Sequence, residues 1–145
     1  MTELDRALVQ RKLAAIARNL GDLGAIEGLT LEEYRRDRFR QKGTERLLQE
    51  TVEVAVDVNL QLLSARGHPT PPDYHESFVG AGRAGIIPED LARQLAPSAG
   101  LRNRLLHEYD ALDDVIVLGA VRDARRQFAA FVAAIERHTG QRPGG

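Results

Sequence analysis

The sequence holds no cysteine and no tryptophan, one methionine, and only two lysines, Lys12 and Lys42, in 145 residues. Without cysteine there is no disulfide, no thiolate nucleophile and no Cys-ligated zinc, and the chain suits a reducing compartment. No apolar run reaches eighteen residues, so no segment is expected to cross a bilayer. The first twenty residues, MTELDRALVQRKLAAIARNL, carry charge throughout and do not read as a secretory signal, so the expected location is the cytoplasm. An excess of one charge sign is also missing. Twenty basic and 21 acidic residues leave a net charge of −1, which disfavours nucleic-acid binding through a global basic field while leaving a local basic site open. A P-loop, a dinucleotide fingerprint and an HExxH motif are all absent.

What remains is ordinary globular composition, 43% hydrophobic and 28% charged. The length is that of one domain, expected over residues 1–140 with 141–145 (QRPGG) as a flexible tail. Eighteen of the 20 basic residues are arginine. That bias reflects either genome composition or a need for planar, two-pronged donors.

The periodicity is helical throughout, with no strand alternation and no repeat. Leu4, Leu8, Ala15, Ile16, Leu20 and Leu23 recur at three- and four-residue steps, with Gly21, Gly24 and Gly28 expected to loosen the end of that helix. Thr30 and Glu33 form a capping-box pattern for a short piece. Thr44 precedes a long segment with Leu47, Leu48, Val52, Ala55, Val56, Leu60, Leu62 and Leu63, stopped at Arg66-Gly67. Asp73 is a candidate cap after the prolines of PTPPDYHESF, and Pro88-Glu89-Asp90 starts another helix. Gly100 precedes LRNRLLHEY. Asp113 or Asp114 caps a last helix with Val117, Leu118, Val121, Phe128, Phe131, Val132 and Ile135 inward, ended by Gly140. The expected class is all-α, an up-and-down helical bundle with short accessory helices.

The dense polar segment is Arg102, Asn103, Arg104, His107, Glu108, Tyr109 and Asp110, which interrupts Leu101, Leu105 and Leu106. One reading is a solvated helix face with a few ion pairs. The other is a phosphate-handling set, because arginine presents a fork to phosphate oxygens and histidine titrates near neutral pH. His68 and His75 flank the proline loop, either as metal ligands or as solvated loop side chains. His138 falls in the last turn of the last helix, where an imidazolium would complement the helix dipole.

Arg102-Asn103-Arg104-Leu105-Leu106-His107-Glu108-Tyr109 reads as R-N-x-x-x-H-x-Y and resembles the signature of HEPN-domain proteins of the HepT type. These are toxin halves of type VII toxin–antitoxin pairs whose partner is a minimal nucleotidyltransferase. The resemblance extends over Glu45–Gln49, Glu53–Asp57, the proline loop 70–78 and 85–88, and covers residues 4 to about 138. It implies a HEPN-type bundle and a metal-independent endoribonuclease with no cofactor. In that reading His107 takes the proton of the RNA 2′-OH and Arg102 holds the non-bridging oxygens as charge builds, leaving a 2′,3′-cyclic phosphate. Asn103 stands where the signature has it. The resemblance also implies that Tyr109 receives AMP from the nucleotidyltransferase antitoxin, placing negative charge two residues from His107 and silencing the nuclease.

Spacing adds a constraint. Arg102 and His107, five apart, are separated by about 140° on an ideal helix and share no face, whereas Asn103 and His107 do. Arg102 meets the same phosphate if the helix ends or bends near His107, or if two chains combine their sites. A homodimer with a composite site is expected, because it also supplies a second histidine for the leaving group. Glu50, Glu53 and Asp57 fall on one side of the long helix. Glu53 or Asp57 is a candidate support for His107 or Arg102, against the alternative of surface carboxylates paired with arginine. The segment with Arg35, Arg36, Arg38, Arg40, Lys42 and Arg46 is either a contact for the RNA backbone or a solvated basic face. Asp110, Asp113 and Asp114 are read as helix caps rather than as a cation site. Two other functions stay open on the residues alone. One is a non-catalytic helical partner or regulator of a nucleotidyltransferase. The other is a nucleotide-binding helical domain using Arg102 and Asn103.

Overall fold

A computed structural model describes residues 1–107 and 112–140 of the chain. Among them all regular structure is helical. The order is α1 (Glu3–Glu27), α2 (Leu31–Arg35), α3 (Arg38–Ala65), α4 (Tyr74–Arg83), α5 (Glu89–Leu95), α6 (Ser98–His107) and α7 (Asp114–Thr139).

Local chemistry explains most boundaries. Thr2 and Thr30 each close a capping box, with Asp5 and Glu33 returning the bond, and the bonds from Thr2 and Thr30 hold both carboxyls below their ordinary range. Asp73 and Asp113 cap α4 and α7 by accepting from Glu76 N and Val115 N. Gly67 and Gly140 adopt φ of +78° and +72° just past α3 and α7, a conformation that costs a side-chain-bearing residue.

Three boundaries differ from the sequence expectation. α3 begins at Arg38, where the Asp37 carboxylate accepts from Arg40 N. Thr44 is instead buried inside the helix, its hydroxyl donating to Arg40 O at 2.7 Å. α6 begins at Ser98 and runs through Gly100. α1 continues through Gly21 and Gly24 to Glu27. A Cβ at Gly24 would stand 3.1 Å from the Arg125 guanidinium, which donates to Leu20 O and pairs with Glu27. The tertiary contact thus uses the glycine instead of ending the helix there. The inward stripe of α1 is also rotated at its start. Val9, Leu13, Ile16, Leu20 and Leu23 are buried, while Leu4 and Leu8 are exposed.

Side-chain contacts give the topology. Gln61 donates to Asp5 O, Lys12 to Gln61, and Asn19 to Glu50 and Thr51, so α1 and α3 run antiparallel. Gln41 and Arg35 reach Asp114 at the start of α7, and Arg66 acts on His138 at its end. α7 therefore runs alongside α3 in the same direction, and α4, α5 and α6 carry the chain back between them. Phe78, Phe128 and Phe131 meet edge to face at 6.3–6.4 Å in the core, the geometry aromatic quadrupoles favour. Tyr34 is fully buried, its hydroxyl donating to Gln41 O, and burial pushes its phenol well above the ordinary value. No helix of the described residues is long and apolar enough to cross a membrane.

Candidate active site

α6 lies across the middle of α3, with α4 beside it. At that crossing the Arg102 side chain is four-fifths buried. Its Nε and Nη2 both donate to Glu53 Oε2 on α3, at 3.1 and 2.8 Å. Its Nη1 donates to Asn103 Oδ1 at 3.3 Å. The Tyr74 ring, from the first turn of α4, lies under the guanidinium with 4.7 Å between the Arg102 carbon and the ring centroid. A carboxylate at one edge and an aromatic face below fix the guanidinium plane.

Glu53 is itself shared. Its Oε2 accepts from Gln49 at 3.4 Å, and Arg46 Nη1 lies 3.8 Å from Oε1. Arg46 also approaches Glu50, which accepts from the buried Asn19 of α1. Two guanidiniums thus flank the Glu53 carboxylate, and with Glu50 counted the cluster of Arg46, Arg102, Glu50 and Glu53 is balanced in charge.

Of the two candidate supports on α3, Glu53 meets Arg102. Asp57, a turn further along, is exposed and takes no part in the pair. The reason is where α6 crosses α3, which the helical wheel of α3 alone does not contain. His107 occupies the last described residue of α6 and is exposed, as is Asn103. His107 stands about 7.5 Å along the helix axis from Arg102. Neither Glu53 nor Asp57 is hydrogen-bonded to it. Tyr109, the candidate modification site, lies outside the described residues, as do Asp110 and the tail 141–145.

Sequence reasoning missed Tyr74, and it placed Arg46 in the basic segment without its approach to Glu53. Tyr74 was legible only as part of the proline loop; nothing local says that its ring meets a residue 28 positions later. Among the remaining candidates, Asp113 caps α7 and Asp114 pairs with Arg35. His75 faces Glu76 at 3.5 Å, and no group of three or more metal-binding side chains occurs among the described residues. His138 corrects the dipole reading. Partial burial, then the neighbouring Arg66, lower its pKa, so the fold favours the neutral ring.

A groove of about 670 Å³ runs along the other side of α6, walled by Leu48, Val52, Leu101, Arg104, Ile116 and Phe128. Near the His107 end of α6, Leu106, Val115 and Ile116 are exposed.

Comparison with known proteins gives the family and the fold. Residues 11–135 match the family described as ribonuclease HepT-like. The tRNA nuclease HepT of Aphanizomenon flos-aquae is 36% identical over 138 residues, covering 95% of this chain and 94% of that protein. The fold matches a tri-AMPylated Shewanella oneidensis HEPN toxin in complex with its MNT antitoxin, with a TM-score of 0.81 and 23% identity over 94% of this chain and 99% of that one. It also matches a toxin–antitoxin structure with AMP-PNP at a TM-score of 0.82 and 22% identity, covering 90% of this chain and 98% of that one. With residues 11–135 matched to the family and a relative matched nearly end to end, this chain belongs to the HepT-like ribonuclease family.

Proposed function

We propose that the protein is the toxin of a type VII pair, a cytoplasmic endoribonuclease that cuts tRNA without a metal and is silenced when a minimal nucleotidyltransferase antitoxin transfers AMP to Tyr109. The observation that carries the catalytic part is the Arg102 guanidinium, held at its edge by Glu53 and on its face by Tyr74, on the same helix as an exposed His107.

Arg102 is held before substrate arrives, so little ordering remains to be done when a phosphate binds. Its Nη groups retain hydrogens for the non-bridging oxygens, where negative charge grows as the 2′-oxygen attacks phosphorus. Neutral His107 accepts the 2′-OH proton. The P–O5′ bond breaks, the 5′-oxygen takes a proton from an imidazolium, and the 2′,3′-cyclic phosphate remains. Glu53 and Tyr74 act through Arg102 and are positioning residues.

The two histidines that such a cycle uses come from two protomers. Exposed Leu106, Val115 and Ile116 beside the His107 end of α6 supply apolar surface for that pairing. Tyr109, two residues beyond His107, would bring the charge of an AMP phosphate into the same cleft. The tRNA preference follows the substrate in the name of the Aphanizomenon relative.

The test is cleavage of tRNA and total RNA by the chain expressed without antitoxin, in excess EDTA, beside His107→Ala. The expected result is cleavage that survives EDTA, leaves cyclic phosphate ends and is lost in the variant with dimer and helicity intact. Unmodified dimer that leaves every RNA whole overturns the reading.

A further inference from the structure

Phe39 is 91% exposed, the largest exposure of any bulky apolar side chain among the described residues. It stands in the first turn of α3, with Arg35 and Arg36 just before it and Arg38, Arg40 and Lys42 around it. An isolated surface aromatic needs no explanation by itself. Its register does, because Phe39, Lys42, Arg46 and Glu53 follow at steps of three, four and seven residues. On an ideal helix these four project within about 60° of one another. The row ends at the Glu53 carboxylate that Arg102 and Arg46 share. One face of α3 therefore leads from an exposed ring, past two exposed cations, to the arginine of the active site, over about 21 Å.

We propose that this face is the track for the single-stranded RNA flanking the cut. Phe39 stacks on an unpaired base, and Lys42 and Arg46 bind successive phosphates toward Arg102. The proposal rests on the ribonuclease reading above and adds to it where the substrate lies beyond the cut. Charge complementarity selects the occupant. Segment 35–46 carries six cations against Asp37 and Glu45, and of the six Arg35 and Arg36 are paired with Asp114 and Glu32 at the surface. A polyanion with exposed base faces satisfies both the cations and the ring, since every base offers a π surface and every nucleotide a phosphate. The exposed Val115 and Ile116 of α7 sit among no such run of cations in the sequence and suit an apolar protein contact better. The pairings along the row are surface pairings open to exchange. Lys42 lies 3.8 Å from Glu45, and Arg46 lies 3.7 and 3.8 Å from Glu50 and Glu53. A phosphate substitutes for a carboxylate at each cation without moving the backbone.

The test measures tRNA binding by the His107→Ala dimer, which leaves the RNA whole, and tRNA cleavage in the otherwise wild-type chain. Phe39→Ala is expected to weaken binding about tenfold and to raise KM with kcat kept, the loss of one stacked base. Phe39→Trp keeps the affinity. Because the sequence has no other tryptophan, its fluorescence is quenched on RNA binding. Lys42→Ala lowers the salt dependence of binding by close to one phosphate. Unchanged affinity in Phe39→Ala overturns the proposal. So does loss of the dimer or of antitoxin binding in that variant with RNA affinity intact, which would make this face a protein interface. If the parent chain neither binds nor cuts RNA, the failure belongs to the ribonuclease reading as well.

Discussion

Gly82 offers the sharpest test of the packing that carries Tyr74. It is buried in the last turn of α4, and a Cβ built there would stand 2.6 Å from Ala92 Cβ and 3.5 Å from Glu89 Cα on α5. Two effects oppose each other in Gly82→Ala. Replacing a helical glycine with alanine gains about 0.8–1 kcal/mol from propensity. Relieving a 2.6 Å contact between two backbone-borne carbons has no rotamer route, so α4 and α5 must move apart by about 1 Å, an overpacking cost of about 1–3 kcal/mol. The clash wins by about 1 kcal/mol. Gly43 is the control. It lies inside α3 with no atom near its missing Cβ, so Gly43→Ala keeps the propensity gain without a clash. Thermal melts followed by far-ultraviolet circular dichroism, at one protein concentration, report both. Gly82→Ala is expected to melt about 2–4 °C below wild type and Gly43→Ala about 2–4 °C above it. A Gly82→Ala melt at or above wild type refutes the close approach of α4 and α5. A Gly43→Ala melt below wild type refutes the propensity argument.

Two other outcomes follow from the site and its surroundings. Tyr74→Leu removes the aromatic face under Arg102 while leaving apolar bulk, and is expected to lower kcat for RNA cleavage about twofold to thirtyfold. Tyr74→Phe recovers most of that loss. Tyr74→Leu causes no further loss in an Arg102→Ala background, and an equal loss there would show that the ring acts elsewhere. His138 gives a pH signature: its folded pKa is lowered, so its contribution to stability is present above the ordinary histidine value near 6.5 and is lost as pH falls below it. His138→Gln is expected to flatten the decline in urea midpoint below that pH. An unchanged slope in His138→Gln counts against the burial and Arg66 effects at this site.

Features that are closed within a few residues were legible in the amino-acid order alone. The Thr30–Glu33 box, the caps at Asp73 and Asp113, and the stops at Gly67 and Gly140 all formed where the residues place them, because a cap satisfies backbone groups three or four positions away. The R-x4-H spacing was legible for the same reason, and the family follows from it and from the match over residues 11–135. What one segment cannot contain came from the packing of helices on one another. Thr44 carries the chemistry of a cap yet lies within α3, because Asp37 caps the helix seven residues earlier and burial takes the threonine hydroxyl back to Arg40 O. Leu4 and Leu8 continue the spacing of the α1 stripe, but no neighbouring helix covers them. Glu53 and Asp57 are equivalent on the wheel of α3, and only the point where α6 crosses it gives Arg102 to Glu53 and leaves Asp57 in solvent. Tyr74 reaches the same arginine because the return of the chain through α4 brings its first turn against α6. Periodicity fixes the direction in which a side chain leaves its helix, but which side chain meets it is set by the crossing of helices distant in sequence.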